Sequence, residues 1–329
     1  MRHAALLLDI GGTKIAGGCA PYQPGAVAPD TQPIITNEAQ IPTHASRGGT
    51  DVAARIATFA ASQIAAARDQ GLAITGIGVA SAGVVDPHAR RITYANELMP
   101  GWTGTELGKI LHQATSLPVE MLNDVHAHAL GEATWGAGKN NTSALVVAVG
   151  TGIGGGFVHR PNGAPEVLFG GHNVAGHVGH FPHPLAAPFD CSCGRRGHVE
   201  SVAAGTGLTR LYNHLLTSAG PQAGSLPRAT NGAEVSGFAA AGNAVARQAL
   251  SQAGRALGET LGALANSVDP AVIILSGSMT HAGEQWWDGV QHGYRAQAMD
   301  PLLETPVVLG SLGSQAPLLG ALSHLINHT

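Results

Sequence analysis

Short apolar runs that stop at glycine alternate along this chain with longer stretches of helical spacing. Residues 4 to 20, AALLLDIGGTKIAGGCA, begin with an unbroken apolar run, the pattern of a strand covered on both faces. The run ends at Asp9, a glycine pair turns the chain, and a second strand starts near Ile15, which predicts a β-hairpin. Residues 21 to 48, rich in Pro, Ala and Thr, carry further strand and loop, and a helix follows over 50 to 70, capped by Thr50 or Asp51. ITGIGVASAGVVD, residues 74 to 86, is a buried strand entering a glycine turn, and 90 to 102 form a strand and a polar loop. A helix over 105 to 115 precedes a strand that starts at Pro118 and ends at Asn123 and Asp124, where another helix begins. Residues 143 to 163, SALVVAVGTGIGGGFVHRPNG, repeat the strand–glycine–strand design of the N-terminal segment. Helices are expected over 203 to 218 and over 234 to 266, the second breaking near Gly242. A buried strand within 267 to 279, a helix over 283 to 299, a strand over 306 to 309 and a final helix, APLLGALSHLINH, complete the chain. Strands alternating with helices mark the α/β class, and the repeated strand–glycine–strand unit predicts two similar lobes facing one another across a central cleft.

Composition narrows the function classes. Among the 329 residues, 44% are hydrophobic and 12% charged, so the chain folds around ample core. A net charge of −4 offers no basic face for nucleic acid or an anionic membrane. No stretch approaches a membrane span, and the first apolar run is too short for a secretory leader. Three cysteines do not make a disulfide framework, and the expected location is the cytoplasm.

Candidate chemistry gathers in several places. Gly11 and Gly12 in DIGGTK let a phosphate approach the main chain, with Thr13 in the same turn and Lys14 adding charge. Asp9 could orient Mg²⁺ through water, although a plain Gly-Gly hairpin turn reads equally well from these residues. Gly150, Thr151, Gly152 and Gly154 form the second such turn, and Gly277 could lie flat against an adenosine. Asp124, at a strand's carboxyl end, lies where open α/β sheets bind ligands and could accept a proton from a substrate hydroxyl; capping the next helix is the alternative. Asn96, whose amide both donates and accepts, suits a hydroxyl ligand. Finally, residues 176 to 200, GHVGHFPHPLAAPFDCSCGRRGHVE, hold His180, Cys191, Cys193 and His198. Thiolate and imidazole are zinc ligands, and four with no open position would make a structural site. His183 is a spare ligand should His198 not reach, and the glycines of GRRG allow the sharp turn that this site needs.

DIGGTK, ASAGVVD, LNDVHAHALGE, VGTGIGGG and CSCGRRGHVE, in this order over nearly the whole chain, resemble the ROK family of bacterial sugar kinases and related repressors. The resemblance implies the two-lobed actin-like, hexokinase-type ATPase fold with ribonuclease H-like lobes. It places a small N-terminal lobe at 1–122 plus about 314–329, and a larger lobe at 123–313. It implies ATP-dependent phosphorylation of a hexose 6-hydroxyl with Asp124 as base. Asp9, Gly11, Gly12, Thr13, Lys14, Gly150, Thr151, Gly152 and Gly154 would hold ATP phosphates with Mg²⁺, and Gly277 would line the adenosine pocket. Gly83, Asn96, Asn123, Asp124, His177, His180 and Glu200 would contact the sugar, with His180 shared by zinc. Family members are commonly homodimers or homotetramers. This chain departs from the family pattern twice. His198 stands where a third cysteine is usual. His177 stands where glucose-preferring members carry Glu in a Gly-Glu-x-Gly-His pattern, and its AGHVGH form is similar to bacterial N-acetylmannosamine kinases. Glucokinase or N-acetylglucosamine kinase activity is the alternative within enzymes, and a non-catalytic sugar-binding regulator the alternative outside them. Repressors of the family carry a helix-turn-helix before the first phosphate loop, and with Asp9 so near the start no such segment is expected here.

Overall fold

The computed structural model describes residues 2–25, 27–218 and 226–329. In chain order the first part of the chain forms β1 (Arg2–Ile10), β2 (Lys14–Pro21), β3 (Thr36–Pro42), α1 (Gly49–Asp69), β4 (Leu72–Ser81), β5 (Val84–Asp86), β6 (Arg91–Tyr94), α2 (Leu107–Thr115), β7 (Val119–Asn123) and α3 (Asp124–Thr134). The apolar run at the N-terminus becomes β1, the middle strand of a sheet ordered β3-β2-β1-β4-β7. Side chains alternate along a strand, so one run serves two cores. Leu6, Leu8 and Ile10 pack with Val52, Ile56 and Phe59 of α1 and with Leu107 and Leu111 of α2. Ala5 and Leu7 point to the other face and pack with Leu318, Leu319, Leu322 and Leu325 of the last helix.

The remaining elements are β8 (Ser143–Val149), β9 (Ile153–His159), β10 (Glu166–Val167), α4 (Glu200–Ala203), α5 (Gly205–Ser218), α6 (Gly232–Ala240), α7 (Ala244–Val268), β11 (Ile273–Ser276), α8 (Glu284–Gln297), β12 (Val307–Leu309) and α9 (Ala316–His328). Their sheet runs β10-β9-β8-β11-β12. Numbered within each sheet, both orders read third, second, first, fourth, fifth, so the repeat seen in the sequence is a repeat of topology.

Contacts divide the chain into one unit of Met1–Thr142, Gly156–Ala175 and Ser311–Thr329, and a second of Ser143–Gly155 and Gly176–Gly310. These limits differ from the expected 1–122 with 314–329 because α3 belongs with the first sheet. Gly131 of α3 meets the Ala316 carbonyl, and Gly320 of α9 meets the Ala127 carbonyl, so closely that neither position has room for a Cβ. In the second unit, Gly254 and Gly258 of α7 similarly meet the Trp286 and Val290 carbonyls of α8.

Two local expectations are corrected. Neither Thr50 nor Asp51 caps α1. Its N-cap is Gly48 at φ 91°, and the Gly49 N–H donates to the Pro100 carbonyl at 2.9 Å, an acceptor 51 residues away that replaces a local cap. The strand expected within 267 to 279 shrinks to β11, because α7 runs on to Val268 and ends at Asp269 with φ 46°. The break near Gly242 is present, with φ 95° there and Asn243 capping α7.

The α3–α9 contact yields a stability prediction. Gly320→Val forces two helix backbones apart and should destabilise the fold by about 3 kcal/mol. Urea unfolding should show a lower midpoint, and an unchanged midpoint would contradict the contact.

Candidate active site and metal centre

In the first unit, β1 and β7 flank β4, and the carboxylates sit at their carboxyl ends. Asp9 pairs with Ala80 of β4, which pairs with Leu122 of β7, so Asp9 and the start of α3 lie at the same edge of the sheet. Asn123, not Asp124, is the N-cap of α3. Its Oδ1 accepts from Val125 N at 3.0 Å and His126 N at 3.3 Å, while its Nδ2 donates to the Gly83 carbonyl at 2.6 Å. The Asp124 carboxylate accepts from Val125 N at 2.9 Å. Burial, and then the nearby Asp9 charge, push the Asp124 carboxyl up to about 7. Burial likewise raises Asp9 to about 6 against the lowering effect of Lys14. Two raised carboxyls with one lysine nearby leave this edge short of positive charge.

The 11–14 turn is held from outside. Gly11 N donates to the Lys14 carbonyl at 2.9 Å. Thr43, fully buried, donates its hydroxyl to the Gly11 carbonyl at 2.6 Å and its N–H to the Thr13 carbonyl at 3.0 Å. Thr43 was not singled out from sequence, because its partner segment lies about thirty residues away and no local motif marks it. No atom stands within 4 Å of where a Gly12 Cβ would be, so the turn has open space beside it. Gly83, at φ 94°, packs against the Tyr94 carbonyl and Ala95, bringing the exposed Asn96 loop to the residue that Asn123 holds. Asn96 Oδ1 itself accepts from Leu98 N at 3.1 Å.

In the second unit, the Gly150–Gly154 turn joins β8 to β9. Gly205 N donates to the Gly150 carbonyl at 2.8 Å, Thr206 Oγ1 to the Thr151 carbonyl at 3.0 Å, and Ile153 N to Glu200 Oε2 at 2.9 Å. Gly277, at φ 91°, has no room for a Cβ because the Val149 carbonyl stands 2.5 Å from that position, so backbone contact already requires glycine there. It also sets the start of a short turn over Ser278–His281, beside Gly150.

His180, Cys191, Cys193 and His198 place one ligand atom each within 4.8 Å of one another. A tetrahedral zinc with S and N ligands has edges of about 3.3 to 3.8 Å. Cys191 Sγ lies 3.6 Å from His180 Nδ1, and Cys193 Sγ 3.3 Å from His198 Nδ1, which fits. The local backbone explains the convergence. Gly194 and Gly197, at φ 82° and 84°, close the knuckle, and Cys191 N donates to the Arg195 carbonyl at 2.7 Å. A bridge between Pro182 and His198 brings the two histidines to one place. Burial lowers the His180 pKa, favouring the neutral ring that binds metal. His183 is not needed as a ligand: its Nδ1 accepts from Leu185 N and its Nε2 meets Glu259 Oε2 at 3.0 Å. His177 stacks beside His180, with ring centres 5.9 Å apart.

The expected residues therefore gather in two sets, each within its own unit: Asp9 to Lys14 with Gly83, Asn123 and Asp124 in one, and the 150–154 turn, Gly277, His177, Glu200 and the Cys/His cluster in the other. Residues 6–327 match the model of the ROK family. The chain belongs to the ROK family. Among ROK relatives, a protein named N-acetylmannosamine kinase from Yersinia pseudotuberculosis is 32% identical, over 83% of this chain and 82% of its own. A protein named glucokinase from Halalkalibacterium halodurans is 27% identical, over 95% of this chain and 92% of its own. The crystal structure of a ROK family glucokinase from Streptomyces griseus, in complex with glucose and AMPPNP, superposes with a TM-score of 0.73 at 27% identity, covering 97% of both chains. The fold is thus the two-lobed actin-like sugar kinase fold expected from the sequence.

The metal cluster is directly testable. Protein purified without chelator should carry about one zinc per chain by elemental analysis, His198→Cys should keep it and His198→Ala should lose most of it. Zinc-free wild-type protein would contradict the assignment.

Proposed function

We propose that this ROK protein is an ATP-dependent sugar kinase that phosphorylates the 6-hydroxyl of a hexose, with N-acetylmannosamine as preferred substrate. The observation that carries the kinase reading is the partly buried carboxyl of Asp124 at a sheet's carboxyl end, near Asp9 and at the start of a helix capped by Asn123. A carboxylate relieved of capping duty and with a raised pKa is suited to accept a proton near neutral pH.

In this reading Asp124 takes the proton of the sugar hydroxyl while that oxygen attacks the γ-phosphorus of ATP. An O–P bond forms, the bond from the γ-phosphorus to the β,γ-bridging oxygen breaks, and ADP leaves with that electron pair. The glycine turns at residues 11–14 and 150–154 present main-chain N–H groups to phosphate oxygens, Lys14 adds charge, and Gly277 lies flat for the adenosine. Asp9, an oxygen donor at an edge short of positive charge, fits the water-mediated hold that Mg²⁺ prefers, and Mg²⁺ when bound would neutralise charge on the phosphates. Asn96, Asn123, His177, His180 and Glu200 orient the sugar. His180, Cys191, Cys193 and His198 would hold a zinc ion, which when bound would fix the loop that carries His180 and would leave no open position for water.

Two observations favour N-acetylmannosamine. His177 replaces a carboxylate with an imidazole beside His180, changing charge and donor pattern toward the sugar. The relative that bears that substrate in its name is 32% identical. The relative named glucokinase covers more of the chain, which keeps glucose in the comparison.

ADP release should be measured by a coupled assay with N-acetylmannosamine, N-acetylglucosamine, glucose and mannose at equal concentration. The expected result is a preference for N-acetylmannosamine of about tenfold or more in kcat/KM, reduced in favour of glucose by His177→Glu. A wild-type preference for glucose would overturn the specificity argument. The base must be ionised, so kcat/KM should fall as pH drops through about 7, the position of Asp124. A flat profile from pH 5.5 to 8 would count against Asp124.

A further inference from the structure

The carboxylate of Glu200 joins two features that the kinase reading treats separately. Its Oε2 accepts from Ile153 N, in the glycine turn, at 2.9 Å. Its Oε1 accepts from the Ser192 hydroxyl at 2.8 Å. Ser192 lies between the two cysteines of the metal cluster, and Cys191 Sγ approaches the same Oε1 at 3.8 Å. The space at Gly152 is also set by this group, because Glu200 Oε2 stands 2.8 Å from where a Cβ would be. Gly179, in the turn that carries His180, packs against the Ile153 carbonyl, which stands 2.5 Å from where its Cβ would be. The 150–154 turn is therefore held at Ile153 by a carboxylate whose other oxygen is fixed by the metal knuckle.

From this geometry we infer that Ser192 is a positioning residue for nucleotide binding: through Glu200 it ties the metal knuckle to the 150–154 turn. Ser192 is exposed and lies between two of the four candidate metal ligands. Its role is to keep the Glu200 carboxylate in the rotamer that accepts from Ile153 N. The Ile153 N–H fixes the direction of the neighbouring peptide groups, and a phosphate turn works only when its N–H groups converge. Charge-assisted hydrogen bonds of this kind are stronger than neutral ones, so losing the hydroxyl frees a carboxylate to swing away. Each carboxylate oxygen has about two acceptor sites, and Oε2 uses one for Ile153 N, so this tie is compatible with a sugar hydroxyl donating to the same carboxylate.

The inference rests on the reading of residues 150 to 154 as a nucleotide phosphate turn. Its test uses the full chain with zinc bound and no sugar present. The dissociation constant of N-methylanthraniloyl-ATP with Mg²⁺ is measured by fluorescence titration, and zinc content and thermal midpoint are read on the same samples. Ser192→Ala should weaken nucleotide binding about three- to tenfold, the loss expected for one charge-assisted hydrogen bond, and raise KM for ATP by a similar factor. Zinc content and thermal midpoint should stay at wild-type values. Ser192→Thr keeps the hydroxyl and should restore binding. Unchanged affinity in Ser192→Ala, or weakening that Ser192→Thr does not rescue, would overturn the inference while leaving the kinase reading intact. Absence of nucleotide binding by the wild-type chain would overturn both.

Discussion

The placement of one partly buried carboxylate, Asp124, is the constraint around which the first unit is arranged. An ionised carboxyl is unfavourable where water is scarce, so burial raises both Asp124 and Asp9; the Asp9 charge adds to the rise at Asp124, while Lys14 opposes it at Asp9. Such a group stays in position only because its surroundings are fixed independently. Asn123 caps α3 and grips Gly83 with the two ends of one amide. The glycine contacts of α3 and α9 then seat the helix against the sheet, and the alternating side chains of β1 close both faces.

The second unit solves a related problem by different means. Long loops order poorly without a core, and residues 176 to 200 contain little regular structure. Four candidate ligand atoms within 4.8 Å of one another, three glycines with positive φ (Gly176, Gly194 and Gly197), and the bridge of Pro182 with His198 shape this segment in place of regular structure. Glu200 passes that order to the glycine turn after β8. Four candidate protein ligands leave no open position, so a zinc ion held there would be structural and would act as a clamp on this segment.

Much of this was legible in the sequence because it depends on local pattern. The ALLLDI run could only be a strand covered on both faces, and the repeated strand–glycine–strand unit appears as two sheets with the same strand order. Asp124 was singled out by its place at a strand end, with base and helix cap both open, and the four candidate metal ligands by residue type and spacing together with the family resemblance. What escaped depends on partners distant in the chain. The cap of α1 is the Pro100 carbonyl, so no residue near Thr50 could reveal it. The first unit reaches Thr142 because Gly131 and Gly320 meet other helices' carbonyls, a contact between segments nearly 190 residues apart. Thr43 and Ser192 are small polar residues in loops, and nothing in a single sequence separates a hydroxyl that braces a turn from one that faces water. Capping was weighed for Asp124 alone, yet Asn123 is the cap, since both residue types favour that position and the sequence does not show which one turns its side chain to the helix.

The account turns on Asp124 as the proton acceptor. The most direct measurement compares single-turnover phosphoryl transfer and sugar affinity in Asp124→Asn with the wild type, using the sugar that the wild type prefers. Asn keeps the shape and removes the base, so turnover should fall by about a thousandfold or more while the dissociation constant for the sugar changes little. Turnover within a few-fold of wild type would contradict the account, because a kinase that runs without this carboxylate does not depend on the group that the first unit is built to hold.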